Sequence, residues 1–178
     1  MTRTWLSIRV DLVEGRGERL WPRPGRIFAA ARSHTFAALT TAIDDAFARW
    51  DRAHLHEFHL ADGTRLTTPY GEDDEFGPWL DDRRTKLSRL ALGEQFLYTF
   101  DLGDDWTHLC TVGLERIDPE EALGIRPDAP LAYWGWGTIP DQYGRRWDSD
   151  DGEGRLPRDP HGADLPPLRP GWGPDRRS

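Results

Sequence analysis

The fold of this chain is decided by residues 96–112, which read FLYTFDLGDDWTHLCTV. Two segments of alternating apolar and polar side chains flank a turn that is rich in Asp and Gly, and this pattern is typical of a β-hairpin. Aromatic side chains favour the buried face of a sheet, so we expect Phe100 to lie opposite Trp106 and Tyr98 opposite His108. The hairpin therefore presents one aromatic face to a core.

The same register specifies the turn of the hairpin. It places Asp101 opposite Asp105 and leaves a loop of three residues, 102–104, in which Gly103 supplies the backbone freedom. A two-residue loop would put the aromatic side chains of the two strands on opposite faces.

Two extended segments come earlier in the chain. Residues 4–13 alternate between apolar and polar side chains, which predicts a strand with one buried face. Residues 19–30 also read as extended, but Pro22 and Pro24 cannot donate hydrogen bonds within a central strand. We therefore expect this second segment to lie at an edge of the sheet or to be irregular. The side chains expected on the buried face of the first segment are Leu6, Ile8, Val10 and Leu12.

Residues 36–50 carry the clearest helical pattern. Apolar side chains recur there at spacings of three and four, which makes one apolar stripe along a helix. Thr35 or Ser33 can cap the start of this helix with its hydroxyl group. The residues of the stripe are Phe36, Leu39, Ile43, Phe47 and Trp50.

The other predicted elements are short. Residues 54–60 read as a strand, and residues 64–80 read as a long surface connection that contains the acidic run 72–75. A helical turn is expected within residues 84–91. Residues 118–123 are expected to form a short helix.

These elements predict an α+β fold. A mixed or antiparallel sheet of about five strands packs on the helix, in a β-grasp-like order of two strands, a helix and further strands. We expect residues 1–117 to form this domain and residues 118–178 to form an extension, rich in Pro, Gly and Trp, that wraps it. Residues 150–178 look extended or poorly ordered, and residues 165–178 should contribute little to stability. The extension is expected to contact the domain through Trp134, Trp136 and Trp147.

The composition narrows the classes of function. The chain has 178 residues and a net charge of −8, which disfavours a general nucleic-acid binder. Its single cysteine, Cys110, excludes an intramolecular disulfide and a zinc site built from paired cysteines. We find no signal peptide, no apolar run of the roughly 20 residues that a membrane helix needs, and no glycine-rich nucleotide loop. We therefore expect a cytoplasmic protein without a membrane span and without a cofactor.

Three segments together resemble one known family. Residues 50–58 contain a Trp-Asp pair followed by HLHEF, residues 86–90 read KLSRL, and residues 96–108 read FLYTFDLGDDWTH. They are similar to the plasmid Orf-three-like family, whose members are passenger proteins of insertion elements and are in some cases called TnpR, or resolvase-like. The resemblance covers about residues 4–117. It implies an α+β domain associated with plasmids or mobile elements, and it implies no settled reaction.

The chain departs from the family after the hairpin. Many members carry paired cysteines there, whereas residues 133–144 of this chain read YWGWGTIPDQYG. The sequence also lacks the catalytic arrangement of a serine recombinase. The resolvase name therefore predicts no chemistry for this chain.

A group of histidine and aspartate residues forms the first candidate site. His54 and His56 are two residues apart, so on a strand they would face the same side as His108. We expect His56 and His108 to lie close together in a shared, partly enclosed site. Three imidazoles and a carboxylate can bind zinc or iron, but hydrogen-bonded core histidines and ordinary turn aspartates explain the same pattern. The full candidate cluster is His54, His56, Asp101, Asp104, Asp105 and His108.

A second candidate site is a segment rich in arginine. Its five arginines interleave with Trp21, an arrangement that suits phosphate or nucleic acid. An arginine-rich surface without function is the alternative interpretation. The arginines are Arg16, Arg19, Arg23, Arg26 and Arg32.

Three hypotheses for function follow from these observations. The first is a non-catalytic binding or accessory module, associated with plasmids or mobile elements, that acts on an unidentified protein partner. The second is a metal-dependent hydrolase or nuclease that uses the histidine and aspartate cluster. The third is a DNA-associated accessory factor that uses the arginine segment.

Overall fold

The computed structural model describes residues 4–69, 79–145, 150 and 155. This part of the chain forms nine strands, the α-helices α1 (Phe36–Ala46) and α2 (Pro119–Leu123), and one 3-10 turn over Leu87–Arg89. The strands are β1 (Trp5–Gly15), β2 (Glu18–Arg19), β3 (Gly25–Ala31), β4 (His56–His59), β5 (Arg65–Thr67), β6 (Trp79–Asp81), β7 (Gln95–Phe100), β8 (Trp106–Val112) and β9 (Leu131–Trp136).

All nine strands belong to one sheet, so the predicted α+β class is confirmed but the predicted five strands are too few. The order across the sheet is β6-β5-β4-β7-β8-β1-β3-β9, and β2 pairs with β1 outside this path. Every pairing is antiparallel except that of β5 with β6. Helix α1 packs on one face, which we call the inner face. We call the opposite face the outer face.

The inner face of the sheet carries the main core. The alternation of β1 is confirmed, because its predicted apolar side chains are all buried. They pack with apolar side chains of α1 and of the neighbouring strands in one cluster. Burial of each large apolar side chain stabilises the fold by about 1.5–3 kcal/mol. The central members of this cluster are Leu6, Ile8, Val10, Leu12, Phe28, Leu39, Ile43 and Phe47.

The predicted hairpin register is confirmed. Strands β7 and β8 place Phe100 opposite Trp106 and Tyr98 opposite His108, and all four side chains are buried. The aromatic side chains therefore supply much of the core beneath α1.

The turn of the hairpin differs from the prediction, because β7 ends at Phe100 and β8 begins at Trp106, so five residues connect the strands where a loop of three, 102–104, was expected. Asp101 and Asp105, with φ angles of 59° and 52°, adopt the left-handed conformation, and Gly103 does not. Asp tolerates this conformation because its short side chain bonds nearby backbone amides. The Asp101 carboxylate accepts hydrogen bonds from the backbone N–H groups of Gly103 at 3.0 Å and Asp104 at 3.2 Å.

Strand β3 corrects the expectation of an edge strand. It pairs with β1 on one side and with β9 on the other, so it lies inside the sheet. The two prolines do not interrupt it, because Pro22 and Pro24 precede its first residue, Gly25. They lie in the irregular connection after β2. The alternative expectation, an irregular segment, therefore holds for the residues around the two prolines.

Helix α1 begins as predicted and ends four residues early. The Thr35 hydroxyl accepts a hydrogen bond from the backbone N–H of Ala38 at 3.1 Å. At the other end Ala48 has a φ of 55°, and the backbone N–H of Arg49 donates to the carbonyl of Asp44 at 2.9 Å. This left-handed termination of a helix usually uses glycine, and because an alanine occupies the position here, the helix end was not predicted.

The middle of the chain contains strands that the sequence analysis missed. Strand β4 covers only His56–His59 of the predicted residues 54–60. Strands β5 and β6 fall in the segment that was expected to be a surface connection, and each has three residues. Strands this short carry too few residues to show an alternating pattern. The acidic run 72–75 lies outside the described residues.

The C-terminal part of the described chain completes the sheet. Helix α2 is confirmed, with the Asp118 side chain as its N-terminal cap. Strand β9 extends the sheet beside β3, and the Trp136 indole N–H donates to the carbonyl of Arg23 at 3.0 Å. Trp147 and residues 165–178 lie outside the described residues, and the division at residue 117 stays a prediction.

The helices can be compared with the length that a membrane requires. None of those in the described ranges is long and apolar enough to span a bilayer.

Candidate functional site

His56 and His108 lie on the inner face, as predicted, with the ring of Tyr98 between them. The Tyr98 ring centroid is 6.1 Å from that of His56 and 5.3 Å from that of His108. The His108 ring also packs edge-on against Phe47 at 4.8 Å. The two imidazoles therefore share one interior but are separated by a phenol ring.

Each of these histidines already has a structural partner. The fully buried His108 ring donates through Nδ1 to the carbonyl of Tyr98 at 3.0 Å. Burial, together with the nearby Arg49 charge, lowers the pKa of His108 to about 3, so the ring is neutral. The Nε2 atom of His56 lies 2.6 Å from the carboxylate of Asp82, which also accepts from the Thr68 hydroxyl at 2.9 Å.

A second buried carboxylate, that of Asp44, belongs to helix α1. The Tyr98 hydroxyl donates to Asp44 Oδ1 at 2.7 Å. Burial raises the pKa of Asp44 to about 6 and raises the pKa of Tyr98 well above its usual value. Asp44 therefore ionises close to neutral pH.

His54 has partners of its own and packs edge-on against the core residue Phe100, with ring centroids 5.8 Å apart. Strand β4 begins only at His56, so His54 lies in the preceding connection, where its side chain is partly exposed. Its Nδ1 atom lies 3.4 Å from Asp101 Oδ2, and its Nε2 atom contacts the Tyr143 hydroxyl. The Tyr143 hydroxyl donates to Asp51 at 2.8 Å. The three histidines therefore have separate partners, and their grouping around one site stays a prediction.

Two aspartates of the hairpin turn, Asp101 and Asp104, already have partners. The Asp101 carboxylate binds backbone amides, and Asp104 forms an ion pair of 3.1 Å with Arg16. Within residues 4–69, 79–145, 150 and 155, no group of three or more His, Cys, Asp or Glu side chains is arranged to hold a metal ion. The donor set predicted for zinc or iron does not converge in the described structure.

The arginine segment does not form one continuous surface. Arg26 is buried and donates to the carbonyls of Gly25 and Trp136, and Arg32 donates to the carbonyl of Leu90. Arg16 is paired with Asp104, as described above. Arg19 and Arg23 remain beside Trp21, in the short ribbon around β2 that pairs with the end of β1.

These two arginines border a groove on the outer face of the sheet. The groove has a volume of about 560 Å³ and lies where the β2 ribbon meets strands β7 and β8. Trp21 is 85% exposed beside it, and Leu97 is 38% exposed. We call this the outer groove; its lining residues are Val13, Glu14, Arg19, Leu20, Trp21, Arg23, Leu97, Thr107 and Leu109.

Sequence reasoning missed the buried polar residues Asp44, Arg49 and Asp82. For Asp44 there was a signal, since it lies eight residues after Phe36 and so interrupts the apolar stripe of α1. The burial of Arg49 and Asp82 had no comparable signal in the local pattern.

The comparisons with known proteins agree with the fold. A crystal structure of a protein of unknown function, MM3350 from Methanosarcina mazei Go1, is 22% identical with a TM-score of 0.58. The alignment covers 76% of this chain and 71% of that chain, and at this identity it shows the fold alone. No curated protein matches. The model of the plasmid pRiA4b ORF-3-like protein family matches residues 6–141, and the chain therefore belongs to this family.

Proposed function

We propose that this chain is a non-catalytic binding module that holds an apolar, acidic segment of a partner protein in the outer groove. The observation that carries the proposal is the exposed Trp21 beside the half-exposed Leu97 on an open sheet face. Exposed Trp and Leu side chains around one concavity are typical of interaction sites.

The side chains that line the groove indicate which types of residue the partner segment contains. Val13, Leu20 and Leu109 line its floor with apolar surface, so an apolar side chain of the partner can pack there. The Arg19 side chain is 90% exposed, and its contact with Glu14 is a long 3.9 Å. Two guanidinium groups at the rim, from Arg19 and Arg23, complement carboxylates of the partner.

The alternatives find less support in the geometry. A metal-dependent hydrolase needs converging ligands, whereas no group of three or more His, Cys, Asp or Glu side chains among the described residues is arranged to hold a metal ion. A DNA-associated factor needs a basic surface, whereas the arginine segment is divided and the chain carries a net charge of −8. The accessory role on plasmids or mobile elements stays part of our proposal.

The test uses a display library of random short peptides, selected on the immobilised full chain. We expect enriched peptides to combine an aromatic or aliphatic residue with Asp or Glu. In titrations of an enriched peptide, Trp21→Ala should weaken binding by about tenfold or more, as for a central interface Trp. The double variant Arg19→Glu/Arg23→Glu should weaken it as well, because it reverses the charge of the rim.

The matched control is Trp134→Ala, which removes a tryptophan that is 43% exposed on β9, away from the groove. This variant should bind the peptide like the wild type. Equal losses for Trp21→Ala and Trp134→Ala would contradict the proposal. Binding of a single-stranded oligonucleotide with a steep salt dependence, and no enrichment of peptides, would support the DNA-associated alternative instead.

A further inference from the structure

The side chain of Arg49 is an uncommon feature of the interior. It is 1% exposed, and all three of its guanidinium nitrogens lack a hydrogen-bond partner in the described structure. The guanidinium lies 4.2 Å from the centroid of the Trp106 ring and 6.0 Å from that of Phe100. Stacking on an indole contacts the face of the guanidinium and leaves its in-plane N–H groups unused.

The nearest carboxylates do not neutralise this group by direct contact. Asp44 and Asp141 are close enough to act on the pKa of Arg49, but within the described ranges neither forms an ion pair with it. One oxygen of Asp44 already accepts from Tyr98. Burial lowers the pKa of Arg49 to about 10, so the group stays charged at neutral pH. A buried charge without hydrogen bonds is costly, which indicates a role for a further acceptor.

His108 contributes an unused acceptor atom to the same interior. Its Nδ1–H donates to Tyr98, so its Nε2 is a lone-pair acceptor, and this atom too is buried without a partner in the described structure. His108 lies two residues after Trp106 on the same strand face, and the charge of Arg49 acts on its pKa. The interior thus offers several donors on Arg49 and one acceptor on His108.

We propose that Arg49 and His108 form a binding site for a small oxyanion that carries a hydroxyl group, such as hydrogenphosphate. The charged oxygens of the ligand accept from Arg49, and its hydroxyl donates to His108 Nε2. Planar, multi-donor recognition of this kind is the usual task of arginine. This site is separate from the outer groove, which lies on the other face of the sheet.

The segment of residues 137–145 closes the interior beside Trp106, and we call it the strap. The Trp106 indole N–H donates to the carbonyl of Gln142 at 3.1 Å. A cavity of about 300 Å³, lined by Trp106, Pro140, Asp141 and Gly144 among others, reaches the same indole.

The experiment measures thermal unfolding and calorimetric binding of the full chain in a chloride buffer, with millimolar sodium phosphate, sodium sulfate or sodium acetate at matched ionic strength. Low concentrations avoid the general stabilisation that sulfate and phosphate give at high concentration. We expect phosphate to raise Tm in a saturable way. Sulfate, which has no hydroxyl at neutral pH, should bind about tenfold more weakly, because it leaves His108 Nε2 unpaired.

Two variants of Arg49 and one control complete the test. Arg49→Met should abolish the phosphate effect, and Arg49→Lys, which keeps the charge without the planar fork, should weaken it. Arg84→Met removes an exposed arginine and should respond like the wild type. If Arg49→Met does not fold, the Arg49→Lys variant and the comparison of phosphate with sulfate still test the proposed site.

Three outcomes would overturn the proposal or part of it. Absence of any anion effect on the wild type would make Arg49 a structural cation. An equal phosphate effect in Arg49→Met or Arg49→Lys would place the binding elsewhere. Equal binding of phosphate, sulfate and acetate, lost in Arg49→Met, would keep Arg49 and reject the role of His108.

Discussion

At the scale of single residues, Asp44 is where pH acts on stability. Its carboxyl is buried against the Tyr98 hydroxyl, and burial raises its pKa from 3.8 to about 6. The folded protein therefore binds a proton that the unfolded chain releases at lower pH. The stabilisation from this proton is complete below about pH 4 and is lost as the pH rises through 6.

The first prediction concerns the substitution Asp44→Asn. We expect the wild type to gain roughly 1–3 kcal/mol of unfolding free energy from this group between pH 7 and pH 4, and Asp44→Asn to lack that gain. The asparagine keeps an acceptor for the Tyr98 hydroxyl, so the fold should survive. Urea unfolding of both proteins from pH 4 to pH 7 measures the difference. Parallel curves across this window would show that Asp44 keeps an ordinary pKa.

At the scale of elements, the strap connects the C-terminal part of the chain to the end of helix α1. The buried Gln142 side chain accepts from the backbone N–H groups of Trp50 and Asp51 at 3.0 and 3.1 Å. It also donates to the carbonyl of Asp51 at 2.7 Å. One amide thus satisfies three backbone groups that belong to no helix or strand.

The second prediction concerns Gln142→Ala. Removing this amide leaves the three backbone groups without their partner, and we expect a loss of about 2–3 kcal/mol in unfolding free energy. Chemical denaturation at neutral pH measures the loss. The matched control is Gln95→Ala, because the exposed Gln95 side chain donates to the Thr111 hydroxyl at the surface, so a change within about 0.5 kcal/mol is expected. A loss for Gln142→Ala no larger than for Gln95→Ala would mean that water replaces the hydrogen bonds of the Gln142 amide.

At the scale of the whole molecule, the described residues of both parts of the chain share one core. Ala132 of β9 and Ile139 of the strap belong to the same apolar cluster as Phe28 and Leu39. Strand β9 also pairs with β3 along the sheet. These contacts favour cooperative unfolding of the described structure as one unit.

The third prediction follows from this shared core. A chain that ends after residue 117 loses β9, the strap and the hydrogen bonds to Trp50, Trp106 and Arg23 that they make. We expect this shortened chain to lose cooperative thermal unfolding, as seen by near-ultraviolet circular dichroism. A shortened chain with an unchanged Tm would instead support a separate domain over residues 1–117.

The sequence by itself determined the elements whose pattern is local. The hairpin register, the buried face of β1 and the start of α1 at Thr35 follow from alternation, spacing and capping within a few residues. The position of Asp44 on the stripe of α1 was also visible in principle. Such features are settled by neighbouring residues, so a single sequence reveals them.

Only the tertiary structure decided the rest of the candidate site. It gave His54 and His56 different partners, buried Arg26 and Arg49, and brought Gln142 against Trp50, 92 residues earlier in the chain. Each result depends on contacts between segments far apart in the sequence, and a local pattern carries no information about such partners. An arginine side chain is solvated on an open strand and buried beneath the strap. The tertiary surroundings of the side chain decide its exposure, because its own chemistry is the same in both places.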